Sequence, residues 1–178
     1  WRALDDWASW PPLPTLVVAN HTNWWDGFLS SPLTTAMGYR FRILMEAKAF
    51  IERRTREAPR QPFLLYLPLT GPHTPWMPTE RFRGKSGFGT YGDWVLQMDD
   101  AVGQIRRALE SAGVAENTLL IFSSDNGAHW GEDDVLRTAH EANYSRRGQK
   151  ADIWDGGHHV PLLVSWPARI KQEAVYSH

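Results

Sequence analysis

Asp125 and Asn126 are adjacent residues whose types suit the binding of a cation. They directly follow the apolar run at residues 117–124, which predicts a buried strand, so both side chains are expected at a strand end. A carboxylate and an amide carbonyl are hard oxygen donors, and such donors suit Ca²⁺ or Mg²⁺ better than a soft metal. Because Asp-Asn-Gly also favours tight turns for backbone reasons, a plain strand-to-turn junction is the alternative.

His73 and Lys150 are side chains that could act on an anion. His73 stands between Pro72 and Pro75, in a loop that follows a second apolar run at residues 62–67. Such a histidine could donate a proton or contact an anion, and Lys150 could bind an oxyanion as a compact point charge. Taken singly, an ordinary loop histidine and a solvated basic turn also account for these two residues.

His21 and Asp26 form another candidate pair near the front of the chain. They belong to an Asn-His-x₄-Asp pattern that begins directly after an apolar run at residues 14–19. In such a pair, His21 would deprotonate an acceptor hydroxyl, and Asp26 would fix the imidazole tautomer and stabilise the imidazolium. The alternative is a histidine at a strand end with a solvated aspartate nearby.

The predicted elements place these residues at one edge of a sheet. We expect strands at residues 14–19, 39–45, 62–67, 117–124 and 160–166. We expect helices at residues 46–58 and 93–112, the second with Asp93 as its N-cap and Gly113 as its C-terminal stop. Strand, loop, helix and strand in that order predict a parallel α/β sheet. The functional loops of such sheets lie beyond the carboxyl ends of the strands.

The composition of the chain excludes several classes of function. With 19 Lys and Arg against 20 Asp and Glu, the net charge of -1 gives no electrostatic reason to expect a nucleic-acid partner. No apolar run approaches the roughly 20 residues of a membrane helix. The chain has no cysteine, which excludes disulfides, cysteine-ligated zinc and thiol nucleophiles. Because no initiator Met and no export signal open the chain, we expect an internal piece of a longer protein.

Four blocks within residues 49–170 resemble the type I sulfatases of the arylsulfatase and phosphatase-like superfamily. The blocks are residues 62–75, residues 98–105, residues 121–127 and residues 147–158, and they occur in the family's order. The resemblance implies an α/β fold, namely an incomplete part of the family's mixed sheet flanked by helices. It also implies a sulfuric ester hydrolase whose substrate is a sulfate-ester small molecule or a sulfated glycan.

The resemblance implies roles for individual residues. Asp125 and Asn126 match two ligands of the family's divalent cation, usually Ca²⁺. His73 matches a histidine that contacts the sulfate group near the leaving oxygen, and Lys150 matches a lysine bound to a sulfate oxygen. Both are therefore expected as catalytic and substrate-binding residues. A cation and a lysine would stabilise the charge on the SO₃ oxygens. By family habit, the parent protein is expected in the periplasm or outside the cell.

Two parts of the family's site have no match in this sequence. The family's nucleophile is a formylglycine made from Cys or Ser in a Cys/Ser-x-Pro-x-Arg motif, and the nearest match has Thr34 in place of the Arg. The paired N-terminal aspartates of the cation site are also missing, because Asp5 and Asp6 lack a preceding apolar strand. His159 stands where the family usually has Arg. We therefore expect half a site, with no turnover of a sulfate ester by this chain alone.

Residues 14–48 resemble a different family, the glycerolipid acyltransferases, through the Asn-His-x₄-Asp block. That resemblance implies acyl transfer at a membrane surface by His21 and Asp26, but the family's acceptor-phosphate block is missing. We therefore expect an acyltransferase-like segment at residues 1–48, joined near residues 45–50 to a sulfatase catalytic-domain fragment at residues 49–178. A truncated, non-functional chimera is the remaining alternative.

Overall fold

The computed structural model describes residues 15–20 and 39–170, with the backbone alone at residues 15–20 and 39–43. The elements in chain order are β1 (Thr15–Asn20), α1 (Tyr39–Glu57), β2 (Leu64–Leu69), α2 (Gly89–Ser111), a 3₁₀ turn (Ala115–Asn117), β3 (Leu119–Ser124), α3 (Glu132–Thr138), α4 (Asp155–His158) and β4 (Leu162–Ser165). None of the helices described there has both the length and the apolar composition that crossing a membrane requires.

The four strands form one mixed sheet in the order β2-β1-β3-β4. β1 pairs in parallel with β2 and with β3, whereas β4 runs antiparallel to β3. The fold class is therefore α/β with a mixed sheet, and the wholly parallel sheet predicted from the element order is wrong at β4. The reason lies in the connection, because the N–H of Gly127, just after β3, donates to the carbonyl of Gly157 at 2.9 Å. After β3 the chain stays at the same edge of the sheet, where residues 127 and 157 meet. β4 therefore starts at that edge and runs antiparallel to β3.

α1 covers residues for which the sequence predicted a strand followed by a helix. The helix is confirmed, but the strand at residues 39–45 is wrong because α1 already begins at Tyr39. The buried residues Leu44, Ala47 and Ile51 recur at steps of three and four, which is the helical period. No Gly or Pro interrupts residues 39–57. The strand had been expected because Tyr39, Phe41 and Ile43 alternate along the sequence. The helical spacing of the buried residues prevails over this short alternation.

The hydrophobic core lies between α1, α2 and β2. Its buried members are Leu44, Ala47, Ile51, Phe63, Leu67, Leu69, Ala101, Ile105, Ala108 and Leu109. Burying one such large aliphatic side chain stabilises the fold by about 1.5–3 kcal/mol. The core also fixes the loop that follows β2, since a Cβ on Gly71 would lie 2.5 to 2.8 Å from side-chain atoms of Met98 and Trp94 in α2.

Asp93 has a different role from the predicted N-cap, because α2 begins one turn earlier, at Gly89. The buried Asp93 carboxylate accepts backbone N–H groups of Gly84 at 2.7 Å, Lys85 at 3.0 Å and Ser86 at 2.9 Å. These hydrogen bonds, with that from Ser86 first, hold the pKa of Asp93 below its usual value, although burial acts in the opposite direction. Asp93 therefore organises the loop before α2.

The other predicted elements are confirmed with small shifts of their ends. β1, β2, β3 and β4 overlap the predicted strands at residues 14–19, 62–67, 117–124 and 160–166. The predicted stop of α2 at Gly113 is confirmed, since this glycine has a φ of +71° just after the helix. The short helix α3 was not predicted. Its first turn contains three acidic residues, which favour a helix N-terminus.

Candidate functional site

Three parallel strands end side by side at one edge of the sheet. Asn20, the last residue of β1, pairs with Leu69 at the end of β2 and with Ser124 at the end of β3. Since neighbouring strands lie about 4.8 Å apart, the ends of β2 and β3 are ~10 Å apart across β1. The strand order places the topological switch point at the ends of β1 and β3, where open α/β sheets bind their ligands. The loops after β2 and β3 carry three of the four predicted sulfatase site residues.

The turn at residues 125–127 follows β3 directly and contains the predicted cation ligands. The Asn126 side-chain amide donates to the carbonyl of Gly127 at 3.0 Å, and the Ser124 hydroxyl donates to the backbone carbonyl of Asn126 at 3.2 Å. Asp125 is exposed. Within residues 15–20 and 39–170, neither the Asp125 carboxylate nor the Asn126 Oδ1 accepts a hydrogen bond. No described residue therefore occupies either of these two side-chain oxygen ligands.

The segment that carries Lys150 packs against this turn. The N–H of Lys150 donates at 3.0 Å to the carbonyl of Ala128, two residues beyond Asn126. Asn143 bridges the same two segments through its side-chain amide, which contacts the backbone of Ala128 and of Gly148. The structure thus brings the backbone of Lys150 beside the predicted cation ligands, although the two lie about 25 residues apart in sequence.

Glycines allow these segments to approach so closely. A Cβ on Gly127 would lie 1.9 Å from the carbonyl oxygen of Gly156, and a Cβ on Gly156 would lie 2.1 Å from that of Gly148. A Cβ on Gly157 would lie 2.2 Å from the carbonyl oxygen of Asp152. Real Cβ atoms do not approach backbone oxygens so closely, so each position requires glycine. In the sequence, Gly156 and Gly157 belong to the block at residues 147–158, which does not by itself reveal these close approaches.

His73 lies in the loop at residues 70–75 and is exposed. Its Nδ1 is 2.6 Å from the carbonyl oxygen of Thr74. Because a carbonyl oxygen only accepts hydrogen bonds, Nδ1 carries the proton in this contact, and Nε2 is the nitrogen left for an anion or a leaving oxygen. The indole N–H of Trp76 donates to the carbonyl of Pro72 at 3.0 Å and anchors the loop.

In the part of the chain that the structure describes, no hydrogen bond joins His73 to Asp125, Asn126 or Lys150. An aromatic cluster connects their loops instead. The ring of Tyr91 lies 5.2 Å from that of Trp76 and 4.5 Å from that of Trp130. Trp76 follows His73 by three residues, and Trp130 follows Asn126 by four.

Burial raises the pKa of Tyr91, consistent with its position between two indoles. Sequence reasoning did not identify this cluster, since its members come from three separate segments and share no spacing that one sequence could reveal.

The donor set suits part of the coordination shell of a divalent cation. Asp125 and Asn126 offer two oxygens, and the Oε1 of Gln149 is buried without a hydrogen-bond partner in the described residues. Among those residues, no group of three or more His, Cys, Asp or Glu side chains could hold a metal ion. Because Ca²⁺ takes about 6–8 oxygen ligands, these side chains would supply only some of them.

His21 and Asp26 lie outside the described residues, as do Thr34, Asp5 and Asp6. The acyltransferase-like pair therefore stays a prediction, and so does the division of the chain into residues 1–48 and 49–178. α1 runs without a break through residues 45–50, where the join was predicted.

The sequence model of the Sulfatase family matches residues 4–178 of the chain. The chain belongs to the sulfatase family. The family predicted from the four sequence blocks is therefore confirmed. The match also includes residues 14–48, in which the acyltransferase-like pattern occurs.

Similar proteins agree with this assignment. This sulfatase chain is 38% identical over 143 residues to the N-acetylgalactosamine-6-O-sulfatase of Bacteroides thetaiotaomicron, which covers 76% of this chain and 27% of the relative. It is 42% identical over 138 residues to the steryl-sulfatase of Rattus norvegicus, covering 77% of this chain and 23% of the relative. The chain thus spans about a quarter of the length of these curated relatives.

A solved structure supports the fold of the sulfatase chain. It comes from work on the metabolism of multiple glycosaminoglycans by Bacteroides thetaiotaomicron and is 35% identical in sequence. The two superpose with a TM-score of 0.66 over 75% of this chain and 28% of the solved one. The predicted α/β class with a mixed sheet, as in the sulfatase fold, is therefore confirmed.

Proposed function

We propose that this sulfatase chain carries the sulfate-binding groups and half of the cation-binding groups of a sulfuric ester hydrolase. The observation that supports the proposal most directly is the hydrogen bond from the N–H of Lys150 to the carbonyl of Ala128 at 3.0 Å. Through this bond the segment of Lys150 packs against the turn of Asp125 and Asn126, at the switch point of the sheet. No described residue donates a hydrogen bond to the side-chain oxygens of these two residues.

Each proposed residue has a chemical task. Asp125 and Asn126 would hold a divalent cation, usually Ca²⁺ in this family, and that cation would supply Lewis-acid stabilisation of a sulfate oxygen. Lys150 would bind another sulfate oxygen through its ammonium group and stabilise the charge that develops there. His73 would contact the leaving oxygen through Nε2, because Nδ1 is engaged with Thr74, and a charged ring could protonate that oxygen.

We propose that this chain binds sulfate without turning over a sulfate ester by itself. The chain has no cysteine, and its nearest serine pattern has Thr34 in place of the Arg of the formylglycine motif. The nucleophile and the remaining cation ligands would then come from a part of the protein beyond residues 49–178.

The proposed substrate is a sulfate ester of a small molecule or of a glycan. The relatives named above are an N-acetylgalactosamine-6-O-sulfatase and a steryl-sulfatase. One name contains a sugar and the other a sterol, so what they share is the sulfate ester and not the alcohol. The charged centre proposed for this chain likewise recognises the sulfate group.

Titration calorimetry with inorganic sulfate in millimolar Ca²⁺ tests the proposal. Wild-type protein should bind sulfate, and Lys150→Met should weaken binding about ten-fold or more, because a hydrogen bond to a charged group contributes about 1.5–3 kcal/mol. Lys85→Met, which removes an exposed loop lysine, is the matched control and should leave the affinity unchanged. Equal affinities of wild type and Lys150→Met would overturn the proposed role of Lys150.

A further inference from the structure

Asn143 is the residue whose side chain joins the two halves of the proposed site. Its Oδ1 accepts the N–H of Ala128 at 3.1 Å, and its Nδ2 donates to the carbonyl of Ala128 at 3.1 Å and to that of Gly148 at 3.3 Å. Ala128 lies 15 residues from Asn143, and Gly148 lies five residues from it. These bonds therefore connect segments that are separate in the chain.

The chemistry of the bridge favours a carboxamide. One planar group must accept one hydrogen bond and donate two, and among short side chains only Asn does both. An aspartate would keep the acceptor but would turn a second carboxylate oxygen toward two carbonyl oxygens. An alanine would leave the Ala128 N–H without this acceptor.

The position of the bridge connects it with the site residues. Ala128 is two residues beyond Asn126, and Gly148 is two residues before Lys150. The carbonyl of Ala128 also accepts the N–H of Lys150 at 3.0 Å. Asn143 and Lys150 thus share one acceptor, so a movement of the Asn143 side chain would disturb the hydrogen bond that fixes Lys150.

We propose that Asn143 is a positioning residue, which holds the backbone of Lys150 at a fixed separation from the turn at residues 125–127. The consequence for binding rests on the proposed function. A cation on that turn and the ammonium of Lys150 would bind different oxygens of the same sulfate group, so their separation must match the size of that group.

Amide hydrogen exchange of the full chain tests the positioning role without any ligand. Asn143→Asp should lower the protection of the Lys150 N–H about three- to ten-fold at neutral pH, since one neutral hydrogen bond is worth about that factor. Protection should recover partly at low pH, where the introduced carboxyl is protonated and can donate one bond. The amide of Ile105 in α2 reports on global unfolding and should be unaffected.

Two further variants complete the comparison. Asn117→Asp makes the same chemical change at an exposed residue and should leave the protection of Lys150 as in wild type. Asn143→Ala removes the bridge without adding a charge. If Asn143→Asp lowers the protection of Ile105 and thus destabilises the whole fold, the protection of Lys150 in Asn143→Ala tests the inference instead. Unchanged protection of Lys150 in the folded Asn143 variants would overturn the inference.

Binding of inorganic sulfate separates the inference from the proposed function. If wild type binds sulfate, Asn143→Ala should bind it about ten-fold more weakly while Ile105 stays protected. Equal affinity would overturn the link between positioning and binding. If wild type does not bind sulfate at all, the proposed function fails, and the exchange of the Lys150 amide still decides whether Asn143 positions that residue.

Discussion

Gly127 is the glycine of the proposed site with the closest backbone contact, because a Cβ there would meet the carbonyl oxygen of Gly156 at 1.9 Å. Overpacking typically costs about 1–3 kcal/mol. A Cβ is fixed to the backbone and its partner here is a backbone oxygen, so neither atom can rotate away. We expect Gly127→Ala to lower the free energy of unfolding by at least about 2 kcal/mol in urea titrations followed by circular dichroism.

Gly103→Ala is the matched control for this substitution. Gly103 lies within α2, and a Cβ there would meet only the flexible guanidinium of Arg107, at 3.2 Å. Because alanine favours helix over glycine, this variant should be more stable than wild type by about 0.5–1 kcal/mol. A Gly127→Ala protein as stable as wild type would show that the two backbone segments do not meet as described.

Asp93 makes the stability of the fold depend on pH, because its pKa is lowered in the folded state. The fold favours the ionised carboxylate, so its contribution is complete above the unfolded-state pKa of about 3.9 and is lost as pH falls through the folded-state pKa. Asp93→Asn should therefore unfold several degrees below wild type at neutral pH, with a difference that shrinks below about pH 4.

Melting curves of both proteins between acidic and neutral pH measure this difference. Asp99→Asn, at an exposed position of α2, removes the same charge and should melt like wild type throughout. A difference between Asp93→Asn and wild type that did not change with pH would contradict the role assigned to the Asp93 carboxylate.

At the scale of elements, a helix was predicted correctly where the helical spacing of apolar residues continued over several turns. α2 was predictable because its apolar residues keep one stripe over about four turns, and its buried face includes Ala101, Ile105 and Leu109. The strand predicted at residues 39–45 was wrong because a short alternation resembles a strand until the helical spacing of Leu44 and Ala47 is considered. The direction of β4 depends on contacts across the β3–β4 connection, which no local pattern contains.

α1 is an integral part of the core, and Ile51 tests this. Its side chain is fully buried, with 0% exposure, in the cluster with α2 and β2. Ile51→Ala should lower the free energy of unfolding by about 2–5 kcal/mol, the usual cost of such a truncation. Met45→Ala, at an exposed position of the same helix, should change it by no more than about 0.5 kcal/mol. Similar small effects of both substitutions would show that α1 does not pack as described.

At the scale of the whole molecule, the described sheet ends in a strand whose apolar side chains are exposed. Leu162, Leu163 and Val164 of β4 are all exposed, and β4 pairs only with β3 in the described sheet. Apolar edge strands template association with other chains. We expect this 178-residue chain to self-associate as its concentration rises, as measured by sedimentation velocity.

A charge on β4 should suppress this association, because lysine on an edge strand opposes pairing. Leu163→Lys should shift the distribution toward monomer, whereas Leu136→Lys, on the exposed surface of α3, should not. A monomeric wild type at high concentration, or equal effects of the two substitutions, would contradict an association through β4.

The family and the position of His73 and Asp125 at one edge of the sheet were predictable from sequence, but the contacts that join the segments of the proposed site were not. Four short blocks in a fixed order identified the sulfatase family, and strand ends placed His73 and Asp125 at one edge. The contacts that join Lys150 to the turn at residues 125–127 involve Asn143 and several glycines. These residue types are common in loops, so their importance appears only when the backbone segments that they join are seen together.

Calorimetric melting of the chain with and without millimolar Ca²⁺, at constant ionic strength, tests the central claim most directly. A ligand that binds only the folded state stabilises it, by about 2.7 kcal/mol at 100 times its Kd. We predict a higher Tm for wild type in Ca²⁺ and a much smaller rise for Asp125→Asn. Asp133→Asn, on the exposed first turn of α3, should respond as wild type does. No effect of Ca²⁺ on the wild-type Tm would contradict a cation site at Asp125 and Asn126.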